Sequence, residues 1–228
     1  MDVHQLMTAM ASEVHAVDSP PEAIERIAHY ARIAVDATDS GIMLGKARGK
    51  VETPAGTSDN VTKAHTMQAD LDEGPCLDAI RGDQDAYVSG DVLNDDRWPA
   101  WGPAVAELGY RSVVSICLQT ADRKYGSLNA YSGDTDAFGQ EDVQVMELLA
   151  VHASLAYKAI ETEHQLHAAL DSRTTIGQAQ GVLMAVYDID AETSFQYLRR
   201  LSSNSNIRLV EVCKDVIAQR HELRKNID

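Results

Sequence analysis

No apolar run in the 228-residue chain approaches the roughly 20 residues that a membrane-spanning helix needs, so no such span is expected. Its first residues, MDVHQLMTAMASEVHAVD, carry no basic stretch ahead of an apolar one and set His4, Glu13 and His15 within it; no secretory leader is expected. Cysteine is scarce. Cys76, Cys117 and Cys213 are odd in number and widely spaced, with no CxxC pair and no histidine at zinc-finger spacing. That excludes a disulfide framework and a structural zinc site, and it fits a reducing cytoplasm best. GxGxxG, P-loop, nucleophile-elbow and HExxH patterns are all missing. Of the eight histidines, only His164 and His167 lie close together, and their spacing on a polar helix reads as a solvated face, so no metal is expected.

Positive charge is also short: 20 Lys and Arg stand against 35 Asp and Glu, a formal net charge of −15. Taken whole, such a chain is a poor partner for nucleic acid or an anionic membrane. The deficit is uneven, however. Residues 1–164 hold 12 Lys/Arg and 27 Asp/Glu, whereas residues 165–228 hold 8 of each. The asymmetry suggests two modules, an acidic one followed by a neutral one.

Hydrophobic periodicity supports that division. Val3, Leu6, Met7, Met10, Val14 and Val17 recur at helical steps, predicting a helix over residues 1–20. Asp18-Ser19-Pro20-Pro21 breaks it and opens a second helix with Ile24, Ile27, Ala28, Ala31 and Val35 on one face. Gly41–Leu44 and Ala86–Val88 read as short strands. Val114, Ile116 and Leu118 alternate with Ser115, Cys117 and Gln119 as a half-buried strand does, and a turn at 121–126 leads into a second run, predicting a hairpin. Gly45–Met67 is polar and reads as a loop or weakly paired edge.

From Asp142 a helical period returns in Val145, Leu148, Leu149, His152, Leu155, Ala156 and Ala159 and continues, without proline, to about Asp188. That length implies a kinked helix or a dimeric coiled coil. Its polar stretch, 161–171, is the expected linker. Three amphipathic helices follow, the first burying Ile176, Ala179, Leu183 and Tyr187, the second Phe195, Leu198 and Leu201, the third Leu209, Val212, Cys213, Val216 and Ile217. Asp190 is placed to cap the second, and Ser202–Asn206 reads as a connector.

The segment SRTTIGQAQGVLM (172–184), followed by AETSFQYLRRLS (191–202), resembles the ANTAR domain, a three-helix RNA-binding module of bacterial transcription antiterminators. LDEGPCLDAI (71–80), DVLNDDRWP (91–99) and GYRSV (109–113), with the hairpin end GSLNAY (126–131), resemble a GAF domain. The resemblance implies an α+β sensor, an antiparallel sheet flanked by helices over 21–160, then a linker and an all-α bundle over 172–222, often as a homodimer. Its implied activity is antitermination: the sensor responds to a signal and the bundle binds hairpins in nascent RNA. Gln180 stands where the family pattern usually has a lysine.

RNA presents phosphates and unstacked bases, which arginine forks, amides and stacking groups can meet. Arg173, Gln180, Arg199, Arg200, Arg208 and Lys214 lie mostly off the apolar stripes and are the candidate RNA contacts; the alternative is an ordinary solvated surface. Gly177 and Gly181 admit close approach, by RNA, a partner helix or a neighbouring helix of the same bundle. In the sensor, Cys76 after the Gly74-Pro75 turn is a candidate thiol at a pocket mouth or a structural residue, the neighbours Asp72, Glu73 and Asp78 disfavouring a thiolate. Trp98 and Trp101 are candidate ligand-lining groups or loop anchors, and Cys117 is a second candidate thiol or a packing residue. The cofactor, if any, is unspecified. Two rivals stand beside the RNA-binding regulator: a GAF-type methionine sulfoxide reductase using Cys76 with Cys117, and a dimeric protein-interaction adaptor.

Overall fold

The computed structural model describes residues 8–9, 12–14, 20–46 and 50–220. Most of the helix expected over 1–20 lies outside them; 8–9 and 12–14 are helical. The chain divides into two compact units, Met1–Ile160 and Glu161–Asp228.

The first unit is built on five antiparallel strands, β1 (Asp39–Gly45), β2 (Val51–Gly56), β3 (Ala86–Ser89), β4 (Ser112–Thr120) and β5 (Arg123–Ser132), in the order β2-β1-β5-β4-β3. The expected hairpin is β4–β5, with Ser115 opposite Asn129 and Ile116 opposite Leu128. Strand alternation gives the sheet two different faces. Ile42, Leu44, Val114, Ile116, Leu118, Leu128 and Ala130 form the apolar face. It packs with helix α1 (Pro20–Ala34), through Ile24, Ile27 and Ala31, and with Met146, Leu149 and Ala153 of helix α5 (Gln140–Tyr187).

The opposite face carries Ser115, Cys117, Ser127, Asn129 and Tyr131, and it is buried too. Helices α2 (Asp59–Leu71), α3 (Pro75–Arg81) and α4 (Trp101–Ala106) lie in its clusters. β4 is therefore buried on both sides, not half-buried as its alternation implies; here alternation separates apolar from polar, not inside from outside.

The polar stretch 45–67, expected as a loop or weakly paired edge, is an edge in its first part and is corrected in its second, which is helical. It contains the edge strand β2 and most of α2, whose inward positions are Val61, Ala64, His65 and Gln68. Their spacing is helical, but two of the four are polar, which hides the stripe from a hydrophobicity reading. Two glycines are required by geometry. Gly126 lets β5 pass so near the Met43 carbonyl that a Cβ would collide with it, and Gly74, at φ +135°, opens α3 directly against Gln68.

In the second unit, the last part of α5 joins α6 (Ala191–Ser205) and α7 (Leu209–Ala218) around Ala179, Leu183, Leu198, Val212, Cys213 and Val216. The expected connector 202–206 is instead the end of α6, closed by Asn206 in the left-handed region at φ 55°. Tyr187 and Leu201, expected inside, are 46% and 40% exposed, and Phe195 is half-buried. Among the described residues six buried apolar side chains form this small core, and the outer residues of each stripe stay at the surface.

Candidate functional site

In the second unit, Asp190 caps α6 by accepting from the Thr193 amide at 2.7 Å; the Thr193 hydroxyl and that amide together hold its carboxyl below the ordinary range. Gln180 Nε2 donates to the Ala191 carbonyl at 2.9 Å, tying α5 to the first turn of α6. That amide, a candidate RNA contact, thus already fastens two helices. Arg173, Arg199 and Arg200 are exposed on α5 and α6, and Arg208 is exposed at the start of α7. Among the described residues none of these four arginines has an ion-pair partner. Lys214 has one, Glu211 at 2.9 Å, which lowers the Glu211 carboxyl. No hydrogen bond or ion pair links the six candidates to one another among the described residues.

A Cβ on Gly177 or Gly181 would meet nothing within 4 Å among the described residues, so close packing against a described helix does not explain them. Tyr197, 49% exposed on α6, was missed as a candidate although it sits in the signature between Phe195 and Leu198. Its signal is positional, because it falls off the buried line of Ser194 and Leu198. Unpaired guanidinium forks suit phosphates, and exposed rings suit unstacked bases.

In the first unit two sets of buried hydrogen bonds join the polar sheet face to α2, one through Gln68 and one through His65. Gln68 Nε2 donates to Cys76 Sγ at 2.8 Å while Gln68 Oε1 accepts from the Cys76 amide at 2.9 Å. The sulfur also lies 3.5 Å from Ser115 Oγ and 3.4 Å from the Tyr131 hydroxyl. The Ser127 carbonyl at 3.2 Å and the Gly41 carbonyl at 3.4 Å fix the Asn129 amide nitrogen, which also faces His65 Nε2 at 3.1 Å. Nε2 therefore accepts, and Nδ1 carries the proton that it donates to Thr53 Oγ1 at 2.9 Å. Burial pushes the His65 pKa down to about 3, so the ring is neutral. Asn129 Oδ1 is buried without a hydrogen-bond partner among the described residues.

The turn at Gly74-Pro75 does not place Cys76 at a pocket mouth: the thiol is wholly buried, and burial raises its pKa. Cys117 is buried and pushed up to about 11, and Cys213 lies in the bundle core. Both tryptophans are buried and anchored. Trp98 Nε1 donates to Asp78 at 2.8 Å, Trp101 Nε1 to the Ala64 carbonyl at 3.2 Å, and the rings meet edge to face at 5.9 Å. Glu73 accepts from the amides of Ala100 and Trp101. Two of the acids beside Cys76, Glu73 and Asp78, thus hold the tryptophan loop, while Asp72 pairs with Arg81. Among the described residues no three His, Cys, Asp or Glu side chains are grouped to hold a metal, and no helix is long and apolar enough to cross a membrane.

An antiparallel five-stranded sheet between two helical layers is the GAF architecture, and solved GAF structures share it. The GAF domain of a phosphoenolpyruvate-protein phosphotransferase from Coxiella burnetii superposes with a TM-score of 0.61 at 15% identity, covering 72% of this chain and 98% of that one. Free methionine-R-sulfoxide reductase from Neisseria meningitidis, in complex with its substrate, gives 0.57 at 16%, covering 71% and 91%. The phycoerythrobilin-bound GAF domain of a cyanobacterial phytochrome gives 0.57 at 12%, covering 72% and 98%. At these identities the likeness is one of fold.

A family model of the GAF domain matches residues 17–157, and one of the ANTAR domain matches residues 164–217. The chain belongs to the GAF domain family and carries an ANTAR domain after it, as regulatory, signal-transducing RNA-binding proteins do. No curated protein matches it in sequence.

Proposed function

We propose that the chain is a signal-responsive antiterminator. In the cytoplasm its GAF unit responds to a small molecule, and its ANTAR unit binds paired hairpins in nascent RNA so that a terminator does not form. The observation that carries the reading is the ANTAR match over 164–217 on a bundle with four exposed arginines that have no ion-pair partner among the described residues. Arg173, Arg199, Arg200 and Arg208 take phosphates, Tyr197 stacks on an unpaired base, and Gln180 and Lys214 are supplementary contacts. Control is a population shift, since a signal biases the chain only by binding one arrangement more tightly than another. The continuous helix α5 is the transmitter. If a cut near His164 left RNA binding and its response both unchanged, that role would be wrong.

A homodimer belongs to the reading. Leu148, Val151 and Leu155 of α5, and farther along Leu166 and Leu170, are all about half or more exposed at helical spacings. Such residues on a long helix are suited to a second copy of the same helix.

The test is a filter-binding titration of a two-hairpin RNA at several salt concentrations. Three or four arginine contacts predict a log–log salt slope between about −2 and −4, and Arg199→Glu should weaken binding at least about tenfold and flatten the slope by about one. No retention at low salt favours the adaptor. The likeness to a free methionine sulfoxide reductase keeps that activity as a second reading. It requires a Cys76–Cys117 disulfide under mild oxidant, which intact-mass analysis detects. Buried, protonated thiols weigh against it.

A further inference from the structure

Glu25, His29 and Arg32 lie one turn apart along a single face of α1. They form one wall of a cleft of about 550 Å³, whose other wall is the start of β1 and the end of β2, with Asp39 and Thr57. That volume falls in the range of about 300–1,000 Å³ usual for small-molecule sites.

Both signs of charge face the cleft. Arg32 is half-buried, yet among the described residues its guanidinium has no ion-pair or hydrogen-bond partner, although the unit is strongly acidic. Asp39 is held in place by neutral donors alone, Tyr110 Oη at 2.7 Å and Thr57 Oγ1 at 2.8 Å. Thr57 is fixed in turn, since its Oγ1 accepts from the Ser40 amide at 2.9 Å. No cation pairs with Asp39 or Glu25 among the described residues. A second cleft of about 600 Å³ shares Glu25 and His29 and adds Tyr30, Ile33 and Arg26, which is ion-paired with Glu13 and Glu22.

A simple anion would meet two carboxylates here, and a simple cation would meet Arg32. The acids and His29 are not grouped as metal ligands. The ligand chemistry that satisfies both walls at once is a small zwitterion. We propose that the cleft between α1 and the β1–β2 edge binds a free L-α-amino acid. Arg32 takes the carboxylate as a two-pronged fork, Glu25 and Asp39 take the ammonium, and the side chain runs past His29 toward the wall of Tyr30 and Ile33. The site is separate from Cys76, Cys117, Trp98 and Trp101, and binding there does not depend on the RNA reading.

The experiment titrates the full chain singly with the twenty common L-amino acids, read by saturation-transfer NMR and calorimetry. At least one should bind with a Kd of about 1 mM or tighter. With the unaltered protein, its decarboxylated amine and its N-acetyl derivative should each lose roughly tenfold or more, because each removes one charge-assisted contact. Arg32→Gln and Glu25→Gln should lose as much while staying folded, since neither side chain has a partner to abandon among the described residues. Failure of all twenty to bind at about 10 mM, or binding indifferent to Arg32→Gln or to N-acetylation, overturns the proposal. RNA retention measured on the same preparations judges the antiterminator reading separately, so failure of one leaves the other standing.

Discussion

His65 sits uncharged beneath the polar sheet face, its ring held between Thr53 and Asn129. Unfolded, it titrates near 6.5; folded, near 3. Between those values the unfolded chain binds more protons, so stability falls as pH falls, by at most about 1.4 kcal/mol per pH unit from this residue. Above pH 7 none of it is lost. Urea unfolding at pH 7 and at pH 5 should show the loss, and His65→Gln should flatten the difference. The cysteines make a second prediction at this scale. All three are buried, so a thiol reagent such as Ellman's should titrate essentially none in the native protein and all three in guanidinium. The burial of Cys213, and packing as one reading of Cys117, were legible in their apolar settings; the depth of His65 and Cys76 was not. Gly74-Pro75 reads as a turn that exposes the next side chain, and only the fold reveals that Gln68 closes over Cys76.

Elements were legible where apolar spacing and local chemistry agree. Asp190 announces the start of α6 and does cap it; Asp190→Ala should cost about 1 kcal/mol, measurable by thermal unfolding. The hairpin and α5 were equally plain, because β-branched alternation and an uninterrupted helical period have few other meanings. α2 was not, since His65 and Gln68 occupy core positions that a hydrophobicity reading expects to be apolar. The surface of α5 yields a further prediction. If a second copy covers Leu155 and Leu166, Leu155→Glu with Leu166→Glu should shift the chain from dimer to monomer in sedimentation. The apolar face of the sheet should hold its fold, because neither leucine belongs to it.

At the scale of the whole molecule, charge and packing divide in the same region. The acidic excess lies within residues 1–164, and the bundle core shares no residue with the cores of the first unit. A core of six buried side chains is marginal alone, so calorimetry should show two transitions, with Leu183→Ala lowering only the one belonging to Glu161–Asp228. The six RNA candidates were only partly legible. Sequence sets them off the apolar stripes, but it shows neither that Gln180 is engaged by Ala191 nor that Lys214 is engaged by Glu211.

A helix that serves two units without interruption has one more consequence: within α5, chain length becomes an angular variable. Each residue inserted between Glu161 and Asp171 turns everything after it by about 100°, whereas seven restore nearly the original azimuth. A signal carried as torsion would answer to the phase of an insertion and ignore its size.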